Sequence, residues 1–583
     1  MRSNVCPVRD PLALAAGPTR VAVLVALAIA LCPSPSRALE PDRATIATGR
    51  RGIVATVHPL ATQAALDAFA AGGNAIDAAV AAGVTLGVVD GFNSGLGGGC
   101  FILIHTAAGK SVVLDGRETA PAAATPGMFI RDGKGDTAAS QTGPLAVAVP
   151  GALAAYAEAQ ARHGRLSLSA VVSPAARIAA DGFEIDPHYA KRLATKADDL
   201  GRFPGSRAVF LHADGTPLAA GDRLVQPDLA ESYRRIAADG PGWFYRGGFA
   251  RAVGAWMAAH GGILTADDFA AYRVVEREPL RTPYRGRTIL GVPPPSSGGI
   301  HVAQILTLLS GHNLAAATAP GAREHLLAES MKLAFADRAF WLGDPAFAKV
   351  PRGLLDPAYL AGLAARVDPQ RSTAVPGAGT PPAADTDIFT GGRHTTHFSV
   401  ADAEGNWVAC TATINTTFGS KVIVPGTGIV LNNEMDDFSI QPGVPNAFGL
   451  VGGEANAVAP GKRPLSSMSP TLVLEQGRPI LALGGAGGPT IISQTVQNVV
   501  RILDLGQSPA EAIAGPRIHH QWKPDRLAVE PGIPADVRAA LVARGHVLHD
   551  DAVIGVSQIV ARAPDGTFIG ASDPRVPSRA AGW

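Results

Sequence analysis

Several short motifs in this chain hold groups that could do chemistry, and most of them read as packing or turns when taken alone. Gly95-Leu96-Gly97-Gly98-Gly99 and Gly484-Gly485-Ala486-Gly487-Gly488 have the backbone freedom to approach a ligand closely. Neither is followed by the Lys-Ser/Thr of a phosphate loop, and the first leads into a strand, so nucleotide binding is not indicated. His519 and His520 are adjacent, so their rings face opposite sides of a strand or diverge on a helix and cannot readily share a metal ion. The chain has no His-Glu-x-x-His and no paired Cys-x-x-Cys. Arg117 beside Glu118 and Asp115 reads by itself as an ion-pair partner. Asp436-Asp437 reads as a pair of turn acids, and Ser466-Ser467 as a turn after Pro464. Asn415-Thr416-Thr417 matches a glycosylation acceptor, a weak three-residue pattern.

The elements that must position these groups change type along the chain. Apolar periodicity predicts helices over 62–71, 75–89 with Asn74 as N-cap, 152–163, 229–238, 249–260, 299–309 and 324–340. Two strand-like runs, 101–105 and 111–115, interrupt them. Residues 376–393, rich in Pro, Gly and Ala, read as a mobile surface linker. Beyond it the pattern turns to hairpins, over 396–401 and 407–414, 471–474 and 480–483, and 557–562 and 567–571, with helices at 491–503 and 509–514. Helices and hairpins in both parts, with few parallel crossovers, predict a layered α+β sandwich.

The 583 residues are 47% hydrophobic, and 50 basic residues nearly cancel 49 acidic ones. A large core is therefore expected, with no global field for nucleic acid or anionic membranes. The apolar run 21–31, preceded by Arg2, Arg9 and Arg20 and followed by small residues Ser36 and Ala38, is too short to span a bilayer and suits a signal peptide over 1–38. An uncut membrane anchor is the alternative. Removing the leader leaves Cys100 and Cys410, too few for a disulfide framework.

One stretch is far more specific. Thr395-Thr396-His397-Phe398-Ser399-Val400, then Gly405-Asn406, Val408, Thr411, Thr413-Ile414-Asn415 and Phe418-Gly419, resembles the signature of the γ-glutamyltransferase family. The likeness continues in 431–438, 442–446, 462–470 and 571–575, and upstream in 73–79, 97–99 and 117–121, so it covers nearly the whole chain after the leader. The resemblance implies an N-terminal-nucleophile hydrolase of four αββα layers, made as one precursor that cuts itself at His394–Thr395 into a large subunit, 39–394, and a small catalytic subunit, 395–583. It implies that Thr395 is the nucleophile, that Thr413 positions it, and that the amides of Gly487 and Gly488 form the oxyanion hole. It also implies that Arg117, Ser466 and Ser467 bind the glutamyl α-carboxylate, while Asn415, Glu434 and Asp437 bind its α-ammonium. No metal or cofactor is implied.

The expected activity is transfer of γ-glutamyl groups from glutathione and related compounds to water, amino acids or dipeptides, by a periplasmic or secreted heterodimer that binds neither nucleic acid nor membrane. Three departures from the usual family pattern stand near the site: Glu434 where many bacterial members have Gln, Pro489-Thr490 after the paired glycines, and Phe448 where lid loops usually carry Tyr. Two alternatives remain: a related acylase that removes a glutaryl side chain from a β-lactam, and a non-catalytic binding protein that keeps the fold.

Overall fold

The structure, a computed structural model, describes residues 46–384, 386, 389 and 397–583. The leader over 1–38, the His394–Thr395 bond, the start of the strand read at 396 and part of the linker lie outside the described residues.

Two seven-stranded antiparallel sheets form the centre. Their strands are β1 (Ile46–Gly49), β2 (Gly52–Thr56), β3 (Gly99–His105), β4 (Ser111–Gly116), β5 (Val275–Arg277), β6 (Leu280–Tyr284), β7 (Arg287–Gly291), β8 (Phe398–Asp402), β9 (Trp407–Thr413), β10 (Thr471–Glu475), β11 (Arg478–Ala486), β12 (Val556–Arg562), β13 (Phe568–Ser572) and β14 (Arg579–Gly582). One sheet runs β14-β2-β8-β9-β3-β4-β5 and the other β1-β13-β12-β11-β10-β7-β6.

Side chains alternate between the faces with period two, and this alternation builds the layers. Phe101, Leu103, Trp407 and Ala409 from the first sheet meet Leu472, Leu474, Ala482 and Val560 from the second in one buried cluster. Their neighbours in sequence point outward. Cys100, Ile102, Val408 and Cys410 pack under the helices α1 (Pro59–Ala70), α2 (Ala75–Val89), α3 (Ala152–His163) and α4 (Leu168–Asp181). Val473, Leu481, Leu483 and Ile559 pack under α7 (Gly298–Ser310), α8 (Ala322–Trp341) and α9 (Thr490–Leu503). Two further helices, α5 (Pro187–Ala194) and α6 (Pro227–Asp239), pack into the same cluster. The fold is thus the expected αββα sandwich.

The Asn74 cap is present: its side chain accepts from the amides of Ile76 and Asp77, and Asp77 accepts from the Asn74 amide. The linker departs from a free surface segment at several of its described positions. The Gly379 amide donates to Asp337 Oδ1 (2.9 Å), the Trp341 indole donates to the Gly379 carbonyl (3.0 Å), and Phe389 is buried. Among the described residues, no helix is long and apolar enough to cross a membrane.

Candidate active site

A cavity of about 320 Å³ opens where the ends of β9 and β11 meet the loop 434–450. Thr413, Asn415, Glu434, Asp437, Ser466, Ser467, Gly487 and Gly488 line it, so eight of the ten residues expected from the sequence converge there. Thr395 lies outside the described residues. Arg117 stands behind the wall, fully buried, while its partners Glu434 and Asp437 line the cavity.

Thr413 ends β9, and its hydroxyl accepts from the Asn415 amide at 2.7 Å. Asn415 follows with a left-handed backbone (φ +76°), which asparagine tolerates better than most residues. Gly98 packs against the carbonyl of Thr413, and a Cβ there would lie 1.7 Å from that oxygen. The first glycine run is therefore a close-packing device. The turn Glu434–Asp437 is set by Asn432, whose side-chain oxygen accepts from Ala148 and Glu434 amides while its nitrogen donates to the carbonyls of Gly97 and Ala148. Asp436 points away from the cavity, accepting from Ser140 Oγ (2.6 Å) and the Ala447 amide (2.9 Å).

Gly487 (φ +130°) and Gly488 (φ +58°) join β11 to the start of α9 in a conformation that side chains disfavour. Among the described residues, neither amide donates to a protein acceptor. Two neighbouring amides beside a helix N-terminus form a ready site for developing negative charge. The Phe448 ring lies against Gly488, where a Cβ would come within 2.5 Å of its Cδ1. Asn446 holds the Phe448 and Leu450 amides, so this loop covers the cavity with phenylalanine in the lid position.

The acidic wall is charged more densely than one cation can balance. Arg117 pairs with Glu118 (3.1 Å), with Glu434 and with Asp437 (2.8 Å). Burial pushes Glu434 well above the usual carboxylate range, although Arg117 pulls it down. Burial likewise pushes Glu118 up to about 7. Arg117 would be lowered by burial, but Glu434, Glu118 and Asp437 outweigh this and hold it above its ordinary value. Glu434 Oε1 is buried with no hydrogen-bond partner.

A second guanidinium, Arg338 on α8, was not anticipated and does line the cavity. It donates to Ser297 Oγ and Ser467 Oγ, both at 3.0 Å, and burial lowers it to about 10. It sits in an apolar helical stretch with no motif around it, and its serine partners are distant in sequence, so no local pattern marks it.

The remaining motifs find other roles. His519 Nδ1 bonds Ser493 Oγ (2.6 Å) while His520 Nε2 bonds Asp525 (3.1 Å), so the adjacent pair has separate partners. His325, Glu329 and His546 bring ligand-type atoms within 4.8 Å of one another. Both His325 nitrogens are already hydrogen-bonded and Glu329 is paired with Lys332 at 2.7 Å, which describes a buried polar network rather than a vacant metal site.

A family model described as Gamma-glutamyltranspeptidase matches residues 61–583. The chain belongs to the γ-glutamyltranspeptidase family. Among its relatives in this family, the glutathione hydrolase proenzyme of Escherichia coli (strain K12) is 43% identical over 547 residues, 93% of each chain. The acylase ACY 1 proenzyme of Pseudomonas sp. (strain SE83) is 42% identical over 540 residues, 90% of this chain and 92% of that protein. The cephalosporin acylase from Bacillus halodurans has a similar structure, with a TM-score of 0.84 and 30% identity, covering 95% of this chain and 99% of the other. Family membership accounts for the antiparallel αββα core and for the convergence of the motif residues on one cavity.

Proposed function

We propose that this enzyme is a γ-glutamyltransferase and glutathione hydrolase whose precursor cuts itself between His394 and Thr395. In the cut, the Thr395 hydroxyl attacks the His394 carbonyl, the amide becomes an ester, and water releases a new N-terminal threonine. An α-amine has a pKa of about 7.7–8, so a useful fraction is neutral near pH 7 and serves as base for the same hydroxyl. In turnover Thr395 Oγ attacks the γ-carbonyl of the donor, its proton passes through the α-amine to the departing amine, and the amides of Gly487 and Gly488 hold the oxyanion. The γ-glutamyl ester then passes to water or to the amine of an amino acid or dipeptide. Thr413 orients the nucleophile.

The observation that carries the substrate reading is the buried carboxylate of Glu434 at the cavity wall, whose Oε1 has no hydrogen-bond partner. Glu118, Glu434 and Asp437 stand against three guanidiniums, Arg117 behind the wall and Arg192 and Arg338 lining the cavity, so a ligand that brings a cation and an anion together keeps the charges balanced. An α-ammonium beside Glu434, Asp437 and Asn415 supplies both a cation and donors. The α-carboxylate then meets Ser466, Ser467 and Arg338, while Arg117 behind the wall balances Glu434 and Asp437. A glutaryl group has no ammonium and leaves Glu434 Oε1 without a donor, so the acylase reading, favoured by the acylase relatives, comes second.

Both sheets mix strands from before and after residue 395, so fragments 39–394 and 395–583 stay together as a heterodimer after the cut. The leader directs the enzyme to the periplasm or exterior. The test is release from a γ-glutamyl anilide by cut protein, accelerated by glycylglycine and exceeding release from the glutaryl analogue. The reverse donor preference favours the acylase, and no turnover by cut protein favours a binding protein.

A further inference from the structure

The paired glycines that follow β11 are gripped through the carbonyls of their own peptide planes. A trans peptide is planar, with its carbonyl and its amide N–H on opposite edges, so whatever holds the oxygen also aims the hydrogen. The Ala486 carbonyl shares its plane with the Gly487 amide, and it accepts from Gln494 Nε2 on α9 at 2.8 Å. The Gly487 carbonyl shares its plane with the Gly488 amide. It accepts from the hydroxyl of Thr490, the first residue of α9, at 2.7 Å, and less closely from the Thr490 amide at 3.3 Å. The two amides themselves meet no protein acceptor among the described residues.

Both donors are held in place. Gln494 is fully buried, as are Asn498 and Ser557 beside it. Asn498 Nδ2 donates to Ser557 Oγ at 3.0 Å, and the Ser557 hydroxyl donates to Gln494 Oε1 at 2.7 Å, which leaves Gln494 Nε2 to donate to Ala486. The Gln494 amide also lies between two glycines: a Cβ added at Gly485 would come within 2.5 Å of its Cδ, and one at Gly555 within 2.2 Å of its Nε2. Thr490 follows Pro489, whose ring restrains the turn at a φ of −63°.

We propose that Gln494 and Thr490 are positioning residues of the oxyanion hole, Gln494 aiming the Gly487 amide and Thr490 the Gly488 amide. The inference rests on the role given to those amides in the function proposed above. A hydrogen bond accepted by a carbonyl also draws electron density from the nitrogen of the same plane and strengthens its N–H as a donor, by roughly 10–30% per bond. Pro489-Thr490, a departure from the usual family pattern, thereby supplies a hydroxyl to the second of the two planes. Formation and breakdown of the γ-glutamyl ester both pass through a tetrahedral oxyanion, so a misaimed amide slows both steps together. kcat then falls while KM stays, whereas a damaged glutamyl pocket raises KM.

The experiment uses the full-length, self-cut enzyme and a γ-glutamyl anilide, with active enzyme counted from the cut fraction on a gel. Thr490→Val keeps the shape of the side chain without its hydroxyl. It is expected to lose about ten-fold or more in kcat, with KM and competitive inhibition by glutamate, which forms no oxyanion, within about two-fold of the wild type. Thr490→Ser restores the hydroxyl and is expected to return kcat to within about three-fold of the wild type. Gln494→Met, similar in length and without a donor, is expected to show the same split, and it carries the test should Thr490→Val fail to fold or to cut itself. An unchanged kcat in either cut variant, a rise in KM that matches the fall in kcat, or a Thr490→Ser as slow as Thr490→Val overturns the assignment. Failure of both Thr490→Val and Gln494→Met to give cut protein overturns it as well, because the role assigned is in turnover and not in folding. Absence of release by the cut wild-type enzyme instead overturns the γ-glutamyl reading, so the two failures are distinct.

Discussion

Replacing Asp437 by alanine separates substrate recognition from folding. Asp437 lines the cavity and pairs with Arg117 at 2.8 Å, so its loss affects both the bound ligand and the buried cation. The second effect is the smaller one. Arg117 keeps Glu118 at 3.1 Å and its contact with Glu434, so no orphaned buried guanidinium results. Removing a like charge also relieves Glu434 and Glu118, both of which burial holds above their ordinary values. Folding and self-cleavage are therefore expected to survive. The ligand has no such reserve: an α-ammonium losing one partner of a buried pair costs about 3–5 kcal/mol, or roughly two to four powers of ten in kcat/KM. The assay is initial-rate release from a γ-glutamyl anilide and from its glutaryl analogue, with cleavage of the chain followed on a gel. The γ-glutamyl substrate should lose at least a hundred-fold while the glutaryl substrate changes little. Equal losses for both donors by a properly cut protein would falsify the ammonium assignment.

Other outcomes follow from the same geometry. Gly98→Ala drives a Cβ to 1.7 Å from the Thr413 carbonyl oxygen, a backbone atom with nowhere to move, so this variant should stay uncut or fail to fold, as a gel and a thermal melt will show. Arg338→Met removes donors to Ser297 and Ser467 and should raise the donor KM about ten-fold or more, with a smaller effect on kcat. Because burial sets Glu118 near 7, lowering the pH from 8 to 6 adds a proton to the acidic wall. KM for the γ-glutamyl donor should rise over that window while KM for a glutaryl donor does not. Burial lowers His301 and His397 to about 3, below their unfolded value near 6.5. The unfolded chain then binds more protons between those values, so chemical-denaturation stability should fall as pH drops from 6.5 toward 3, and a flat profile would contradict the neutral burial of these rings.

How much the sequence reveals depends on whether the cause is local. Asn74 and Asp77 form a capping box within four residues, and the helix 75–89 is legible from it. The motif around Thr413, Glu434 and Gly487 is legible because the family likeness preserves order and spacing. The hairpin β6–β7 escapes the sequence reading because Pro283 argues against a strand. It is tolerated there because β6 is the edge of its sheet, and the chain reverses through Arg285 and Gly286, both at positive φ. Helix α4 is hidden in the same way by Pro174 in its interior. Arg338 and Asn432 escape for a different reason. What each does is decided by partners brought from other elements, Ser297 and Ser467 for one, Gly97 and Ala148 for the other. The double role of the glycines is likewise tertiary, since Gly98 packs on a carbonyl while Gly487 and Gly488, whose amides meet no protein acceptor among the described residues, line a cavity.

The most direct test of the central claim is mass spectrometry of the smaller fragment after mixing the enzyme with a γ-glutamyl anilide and quenching in acid before the ester turns over. The account predicts a fragment spanning 395–583 whose N-terminal peptide begins at Thr395 and carries one γ-glutamyl group, with Thr395→Ala giving a single uncut chain and no adduct. A fragment beginning at another residue, an adduct on a different side chain, or efficient cutting of Thr395→Ala would contradict it.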